Sequence, residues 1–140
     1  MSHKSYSFEF IDFKLLEVDF KINKELDLNK EIEINTTLSI RHEWIDKKKL
    51  LKAFVRLGFG GTDSPFILSI EGGGLFEFNN SVDPEQIEKI ASVNCAAIVF
   101  PYIRETVSDF IRRAGFPPIY LPPFNFVEAY KQKVSSSIKK

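Results

Sequence analysis

The clearest structural signal in the chain is an alternation of apolar side chains over the segment Leu51-Lys52-Ala53-Phe54-Val55-Arg56-Leu57-Gly58-Phe59. The odd-numbered positions are all apolar, whereas Lys52 and Arg56 lie between them. Successive side chains of a strand point to opposite faces of a sheet, so this pattern predicts a half-buried β-strand.

Three further strands are predicted around this one. The segment from Ser5 to Asn23 has a period of two whose parity changes midway, which indicates a long strand with a bulge or bend. Glu31 to Trp44 also alternates and predicts a second strand. Phe66 to Phe78 follows a turn rich in Gly, Ser and Pro and predicts a fourth, interrupted by Gly72-Gly73-Gly74. Four strands joined by short turns predict an antiparallel sheet.

The second half of the chain changes to helical spacing. Ser81-Val82-Asp83-Pro84 predicts a helix start, with a capping side chain before a proline in the first turn. Asn94 is a second candidate cap, and apolar residues recur at helical spacing from Ala96 to Ile111. Gly115 is the predicted stop of this long helix, and Asn125 the predicted cap of a shorter C-terminal helix. Strands followed by helices predict an α+β fold.

Composition limits the class of protein. The chain has 140 residues, which we expect to form a single domain over residues 1–140. Its 19 Lys and Arg balance 19 Asp and Glu, which argues against a nucleic-acid partner. The single Cys95 cannot form an internal disulfide, which fits a reducing compartment. Met1 to Phe8 lacks the apolar segment of a secretory signal, and the apolar run before Pro101 is too short to span a membrane. We therefore expect a soluble, cytoplasmic protein without membrane insertion.

Residues that could carry catalysis or bind a cofactor are sparse. His42 lies in a strand pattern without the signature of a nucleophile around it. Cys95 has no second Cys or His at metal-ligand spacing. The glycine-rich stretches 58–61 and 72–74 neither precede Gly-Lys-Ser/Thr nor open a helix, so neither is a phosphate loop. We predict that the chain is not an enzyme and needs no metal or cofactor, ATP included.

A proline-rich segment from Gly115 to Tyr130 is more apolar than surface loops usually are. Its apolar side chains are Phe116, Ile119, Tyr120, Leu121, Phe124, Phe126 and Tyr130. The whole chain contains 14 Phe residues, more than a single core of this size usually needs. Two interpretations stay open for the segment. It could be a strap that ties the last helix to the core, or a wall of a groove or an oligomer interface.

Three motifs resemble the SecB family of bacterial chaperones. The motifs are Asn94-Cys95-Ala96-Ala97-Ile98-Val99-Phe100-Pro101-Tyr102-Ile103-Arg104-Glu105, Gly115-Phe116-Pro117-Pro118-Ile119-Tyr120-Leu121-Pro122-Pro123-Phe124-Asn125-Phe126 and Gly73-Gly74-Leu75-Phe76. The resemblance implies a four-stranded antiparallel sheet with a long helix and a shorter C-terminal helix packed on one face. It also implies an ATP-independent chaperone, a homotetramer built as a dimer of dimers, that holds unfolded polypeptides in apolar grooves.

The resemblance also implies site residues by matched position. The expected client-binding residues lie on the fourth strand, in the proline-rich segment and on the last helix: Phe66, Leu68, Ile70, Phe116, Ile119, Leu121, Phe124, Phe126 and Tyr130. Family members engaged in export dock on the translocase motor SecA through an acidic sheet face. Glu17 stands where that face has one of its carboxylates.

Other positions of the acidic face differ from the family pattern. Lys21 and Ser69 stand where the family has acids, and the chain from Phe124 onward has four lysines against one glutamate. Two client classes therefore stay open, preproteins kept competent for export through SecA and, as the alternative, an antitoxin of a toxin–antitoxin system. An α+β domain with a small-molecule or lipid pocket is a further alternative. So is an oligomeric adaptor whose proline-rich segment is only an interface.

Overall fold

The four strands form a single antiparallel sheet. The computed structural model describes residues 6–24, 35–60, 64–117, 121 and 123–138. The strands are β1 (Phe8–Ile22), β2 (Thr36–Ile45), β3 (Leu50–Gly60) and β4 (Phe66–Phe78). Their order is β1-β4-β3-β2, so β3 and β4 lie in the centre and β1 and β2 at the edges. The predicted antiparallel sheet is confirmed; residues 31–34 of the predicted second strand lie outside the described residues.

The parity change predicted in the first strand is confirmed as two bulges. The register of β1 against β4 shifts between Phe10 and Asp12 and again between Leu15 and Glu17, so Ile11 and Leu16 are extra residues. Each extra residue shifts the alternation by one position, so that the following apolar side chains again point to the face that the helices cover. The half-buried side chains of β1 that pack on the core are Phe8, Phe10, Phe13, Val18 and Phe20.

The predicted interruption of the fourth strand at its three glycines is wrong. β4 continues through them, and Gly72, Gly73 and Gly74 pair in order with Val55, Phe54 and Ala53 of β3. The glycines are required by packing between layers. A Cβ on Gly72 would lie 2.6 Å from Ile103 Cδ1, and one on Gly74 would lie 2.6 Å from Val99 Cγ2. These two positions thus let the long helix approach the sheet closely.

The first helix begins at the predicted residues, and the chain then stays helical without a second helix start. α1 (Pro84–Lys89) continues through a π-helical segment (Ile90–Cys95) into α2 (Ala96–Arg113). Pro84 occupies the first turn, although the Asp83 side chain makes no capping hydrogen bond. The predicted cap at Asn94 is wrong, because Cys95 (φ −71°, ψ −40°) and Ala96 are already helical and a capping position needs extended backbone.

Both remaining helix ends are confirmed. After α2, the N–H groups of Gly115 and Phe116 donate to the carbonyls of Arg112 (3.0 Å) and Ile111 (3.2 Å), the paired bonds of a Schellman motif. Gly115 has a φ of 91°, which explains the glycine. α3 (Phe126–Ile138) begins where Asn125 Oδ1 accepts a 3.0 Å hydrogen bond from the Glu128 N–H.

The core lies between one face of the sheet and α2. Its strand residues are Leu51, Ala53, Val55, Leu57, Phe59, Phe66, Leu68, Ile70, Phe76 and Phe78. From α2 it takes Val99, Ile103, Val107 and Ile111, which recur at helical spacing on one side. Fully burying such a side chain contributes roughly 1.5–3 kcal/mol. We call the opposite face of the sheet, which carries charged and partly exposed side chains, the outer face.

Candidate functional site

A depression with a volume of ≈ 270 Å³ lies between β2 and the start of α3, and we call it the groove. β2 lines one side of it with Leu38, Ser39 and Ile40. The opposite wall consists of Phe124, Phe126, Ala129, Tyr130 and Lys133. The groove is therefore bounded by an edge strand on one side and by an aromatic helix terminus on the other.

The edge of β2 offers backbone groups to the groove. The Gly60 N–H donates to the Asn35 carbonyl over 2.9 Å, which fixes the hydrogen-bonding phase of the β2–β3 ladder. In an antiparallel pair the phase alternates, so Leu38 and Ile40 direct their N–H and C=O groups away from β3. Within the described part of the chain no strand pairs with this edge. An extended polypeptide could add to it as a further strand.

The aromatic wall is a cluster of three phenylalanines. The ring of Phe126 lies 5.0 Å from that of Phe124 and 5.6 Å from that of Phe100, between centroids. Phe126 and Phe100 are buried, whereas Phe124 is 41% exposed. The two inner rings thus hold Phe124 at the surface, where it presents apolar area with few rotamers to freeze on binding.

Polar groups surround the apolar lining. Ser92 also lines the groove, and the Lys133 ammonium lies 3.7 Å from the Glu88 carboxylate. An apolar centre with a polar rim is the usual anatomy of a surface that binds a polypeptide.

Three of the expected client-binding residues lie elsewhere. Phe66, Leu68 and Ile70 are 0%, 1% and 0% exposed, because their parity on β4 points them at α2. The Phe66 ring is packed 5.2 Å from that of Phe116. The helix layer covers these side chains, and they do not line the groove.

Some residues of the proline-rich segment fit the strap interpretation, and others fit the groove interpretation. Leu121 is buried and Phe116 is half-buried against the core, so these two residues act as a strap. Phe124, Phe126 and Tyr130 come together in the groove. Ile119 lies outside the described residues.

Glu17, the expected SecA-docking residue, lies on the outer face in an ion pair. Both of its carboxylate oxygens accept hydrogen bonds from the Arg56 guanidinium, at 3.3 and 3.5 Å. The bond to Glu17 is the main reason that the pKa of Arg56 is raised. Arg56 also lies 4.0 Å from Glu71, which in turn pairs with Arg41 at 3.3 Å. The carboxylate of Glu17 is therefore partly neutralised.

A metal site is not assembled in the described residues. No group of three or more His, Cys, Asp and Glu side chains there is arranged to hold a metal ion. His42 is exposed on β2, and Cys95 is buried at the end of the π-helical segment. In the same part of the chain, no helix has the length and apolar character needed to cross a membrane.

Cys95 should react with a thiol reagent only after unfolding. Burial raises the pKa of its thiol from 9.0 to about 12, so the reactive thiolate is scarce near neutral pH. Labelling with iodoacetamide, followed by mass spectrometry at about pH 8, should be at least roughly 1,000-fold slower for the native chain than in urea, because the thiolate fraction falls by about that factor between a pKa of 9.0 and one of about 12. Because the folded pKa exceeds the unfolded one, this thiol should lower stability as pH rises from about 9 to about 12. Equal labelling rates in the two states would contradict the burial.

The strand side of the groove was not predicted from the sequence. Leu38 and Ile40 belong to the alternation that predicted the second strand, but nothing in that pattern says that the strand is an edge. The alternation of apolar residues was the only relevant feature of this part of the sequence. Which strand forms an edge of the sheet depends on pairings between distant segments.

The fold and the groove together define a class of protein: an α+β domain with an aromatic wall beside an open strand edge, a geometry suited to holding extended polypeptide. The sequence pattern of the family described as "Preprotein translocase subunit SecB" matches residues 15–137. The chain belongs to the SecB family.

Two curated relatives illustrate the sequence likeness. The "Protein-export protein SecB" of Methylobacillus flagellatus is 43% identical over 74 residues, which are 53% of this chain and 46% of the relative. That of Nitrosomonas europaea is 46% identical over 68 residues, 49% of this chain and 42% of the relative. The matched segment thus spans less than half the length of these relatives.

Two solved structures share the fold. One is a Mycobacterium tuberculosis SecB-like chaperone in complex with a ChAD peptide from the HigA1 antitoxin. It has a TM-score of 0.71 at 16% identity and covers 84% of this chain and 88% of that chain. The other is a protein of unknown function from Streptococcus agalactiae, with a TM-score of 0.55 at 12% identity, covering 85% and 99%. At these identities the likeness supports the α+β architecture alone.

Proposed function

We propose that this chain is an ATP-independent chaperone that holds unfolded or non-native polypeptide in the groove and catalyses no reaction. The observation that carries the proposal is the combination of an open backbone edge at Leu38 and Ile40 with an aromatic wall at Phe124 and Tyr130. Backbone hydrogen bonds to the edge are independent of client sequence, while the wall accepts varied apolar side chains. Such a site suits many clients of modest affinity.

Assembly increases the strength of this binding. We propose a homotetramer, a dimer of dimers, in which several grooves engage one client chain. Exposed apolar side chains on β1 and α2 support a self-association surface, namely Ile11 (48%), Leu15 (45%) and Tyr102 (41%). Several weak contacts along one client gain avidity through effective concentration.

The pathway we propose is protein export in the cytoplasm, with preproteins as clients and SecA as the receiving partner. Family membership supports this role, since the matched relatives are protein-export proteins. Glu17 is the candidate docking residue for SecA, and its ion pair with Arg56 would have to open for that contact.

A dedicated antitoxin chaperone is the second candidate. The observation that favours it is the outer face, where Arg56 partly neutralises Glu17 and Lys21 and Ser69 replace expected acids. A face of mixed charge complements a basic docking segment of SecA poorly. The structural neighbour from M. tuberculosis holds an antitoxin peptide, which supports the same candidate.

Light scattering from an aggregating unfolded protein tests the chaperone proposal. The wild-type chain, without nucleotide, should suppress the scattering. Phe124→Asp and Tyr130→Asp should each require roughly tenfold more chain for equal suppression, because a charge desolvated in the groove costs more than 1 kcal/mol. Phe124 is already 41% exposed, so its variant should fold normally.

Val127→Asp is the matched control for these variants. It introduces the same charge on α3, the helix that carries Tyr130, and Val127 is 49% exposed and lies outside the groove lining. This variant should suppress aggregation as the wild type does. Equal activity of all three variants, with folding and assembly unchanged, would contradict the groove as the client site.

A further inference from the structure

The π-helical segment (Ile90–Cys95) contributes one residue to the lining of the groove, Ser92, which is half-buried. Glu88 precedes Ser92 by four residues, and its carboxylate lies 3.7 Å from the Lys133 ammonium on the opposite wall. Residues four apart lie close together on one face of a helix, so Ser92 and Glu88 both face α3. Ser92 is therefore a polar residue on the helical side of a mainly apolar groove.

The backbone carbonyl of Ser92 lacks its usual donor. In an α-helix the Ala96 N–H would donate to the Ser92 carbonyl, four residues earlier. Here the acceptors of the Ala96 N–H are the carbonyls of Ala91 and Val93, and α-helical spacing then resumes in α2. The hydrogen-bond ladder of the helix thus passes over the Ser92 carbonyl. Such π-helical insertions occur frequently at functional sites.

The hydroxyl of Ser92 is also available for binding. Within the described ranges of the chain it has no hydrogen-bond partner, although a hydroxyl inside a helix commonly bonds the carbonyl four residues earlier. Thr106 on α2 makes that bond, to the Tyr102 carbonyl at 2.8 Å. Ser92 therefore offers a hydroxyl and a carbonyl together, and a ligand that covers them without hydrogen bonding to them would lose free energy.

A client strand on the β2 edge would direct alternate side chains at this residue. Leu38 and Ile40 pair with Leu57 and Val55 of the core, so they point to the face that the helices cover. Every second side chain of an added strand points to that same face. The groove volume of ≈ 270 Å³ is below the range of roughly 300–1,000 Å³ that is typical of small-molecule sites. It suits one client side chain at a time.

A tyrosine matches both parts of this lining. We propose that the groove selects client segments that place a tyrosine ring against Phe124 and Tyr130 and its hydroxyl at Ser92. The client O–H donates to the Ser92 carbonyl, and its oxygen accepts from the Ser92 hydroxyl. Phenylalanine would fill the same space but leave both Ser92 groups unpaired, which is the basis of discrimination between the two. This inference rests on the proposed chaperone function and names the side chain that the groove prefers.

The test is calorimetric titration of the full-length chain with short synthetic peptides of alternating Val and Thr, which carry one central Tyr or one central Phe. The Tyr peptide should bind about fivefold more tightly than the Phe peptide, because it alone forms hydrogen bonds at Ser92. A third peptide with O-methyltyrosine, which cannot donate to the Ser92 carbonyl, should bind no more tightly than the Phe peptide.

Ser92→Ala should lower the preference for the Tyr peptide to about twofold or less, since it removes one of the two bonds. Alanine is the best helix former, so this variant should fold. Ser108→Ala makes the same change at an exposed position of α2 outside the groove lining and should keep the fivefold preference. Phe124→Asp should weaken the Tyr and Phe peptides by the same factor of roughly ten, because the aromatic wall contacts both rings.

The outcomes separate this inference from the chaperone function on which it rests. Equal binding of the Tyr and Phe peptides to the wild-type chain overturns the inference alone, as does a preference that Ser92→Ala leaves unchanged. Tighter binding of the O-methyltyrosine peptide than of the Phe peptide overturns the role of the Ser92 carbonyl. Binding of neither peptide, or binding that Phe124→Asp leaves unchanged, overturns the groove as the client site and the inference with it.

Discussion

Replacing Gly72 by valine should lower the free energy of unfolding by about 3 kcal/mol. The Cβ of any side chain at this position would lie 2.6 Å from Ile103 Cδ1 and 2.7 Å from two ring carbons of Phe13. Neither neighbour can yield easily, since Ile103 is fully buried between α2 and the sheet and Phe13 stacks on Tyr102 with ring centroids 4.8 Å apart. The helix would therefore have to move away from β4, exposing part of the core.

Gly73→Val is the matched control, because it makes the same change one residue along the strand. A Cβ at Gly73 would point to the outer face, where its nearest contacts, at 3.2–3.3 Å, would be the side chains of Phe54 and Leu16. Leu16 is 48% exposed and has room to move, so we expect a change within about 1 kcal/mol. Urea unfolding followed by circular dichroism, at one fixed chain concentration, would measure both variants. Equal destabilisation by the two would contradict the close approach of α2 at Gly72.

The strand half of the fold could be predicted because its signals are local. The alternation from Leu51 to Phe59 follows directly from the two-residue period of a strand, and the odd positions are indeed buried. The parity change in the first strand likewise marked the bulges of β1. Helix ends at Gly115 and Asn125 were predictable for the same reason, since each rests on the chemistry of one or two residues.

The incorrect predictions concern residues whose role depends on contacts with distant parts of the chain. Three consecutive glycines are typical of a break in a strand, and only the position of α2 shows that Gly72 and Gly74 make room for Ile103 and Val99. Asn94 resembles a helix cap, but the chain is already helical there through the π-helical segment. At these positions the packing of the helix layer against the sheet determines the structure, and the local residue preference does not.

The candidate site could be predicted only in part. The aromatic content of the proline-rich segment indicated Phe124, Phe126 and Tyr130, which the fold brings together in the groove. Its strand wall at Leu38 and Ile40 depends on β2 being an edge, a property of strand order that sequence spacing does not encode. Matched position in the family suggested Phe66, yet burial by α2 assigns this residue to the core.

Phe66→Ala should therefore act on stability and not on client binding. Its ring is 0% exposed and is enclosed by three others, with centroids 5.2 Å away for Phe116, 5.7 Å for Phe59 and 5.9 Å for Phe20. Removing it leaves a cavity that this cluster can only partly fill, which should cost about 3–5 kcal/mol. Ile67→Ala, the next residue on the strand, is the matched control. Ile67 is 48% exposed on the outer face, so its truncation should cost less than about 1 kcal/mol.

Aggregation suppression by Phe66→Leu would separate the two roles of this position. Leucine retains most of the buried area and should keep the chain folded at a cost of about 1 kcal/mol. Per folded chain, this variant should suppress aggregation as well as the wild type, because the Phe66 side chain lies under α2 and outside the groove lining. Suppression lost at unchanged folding would mean that the helix layer opens when a client binds. Phe66 would then return to the client site, and the groove between β2 and α3 would be only its entrance.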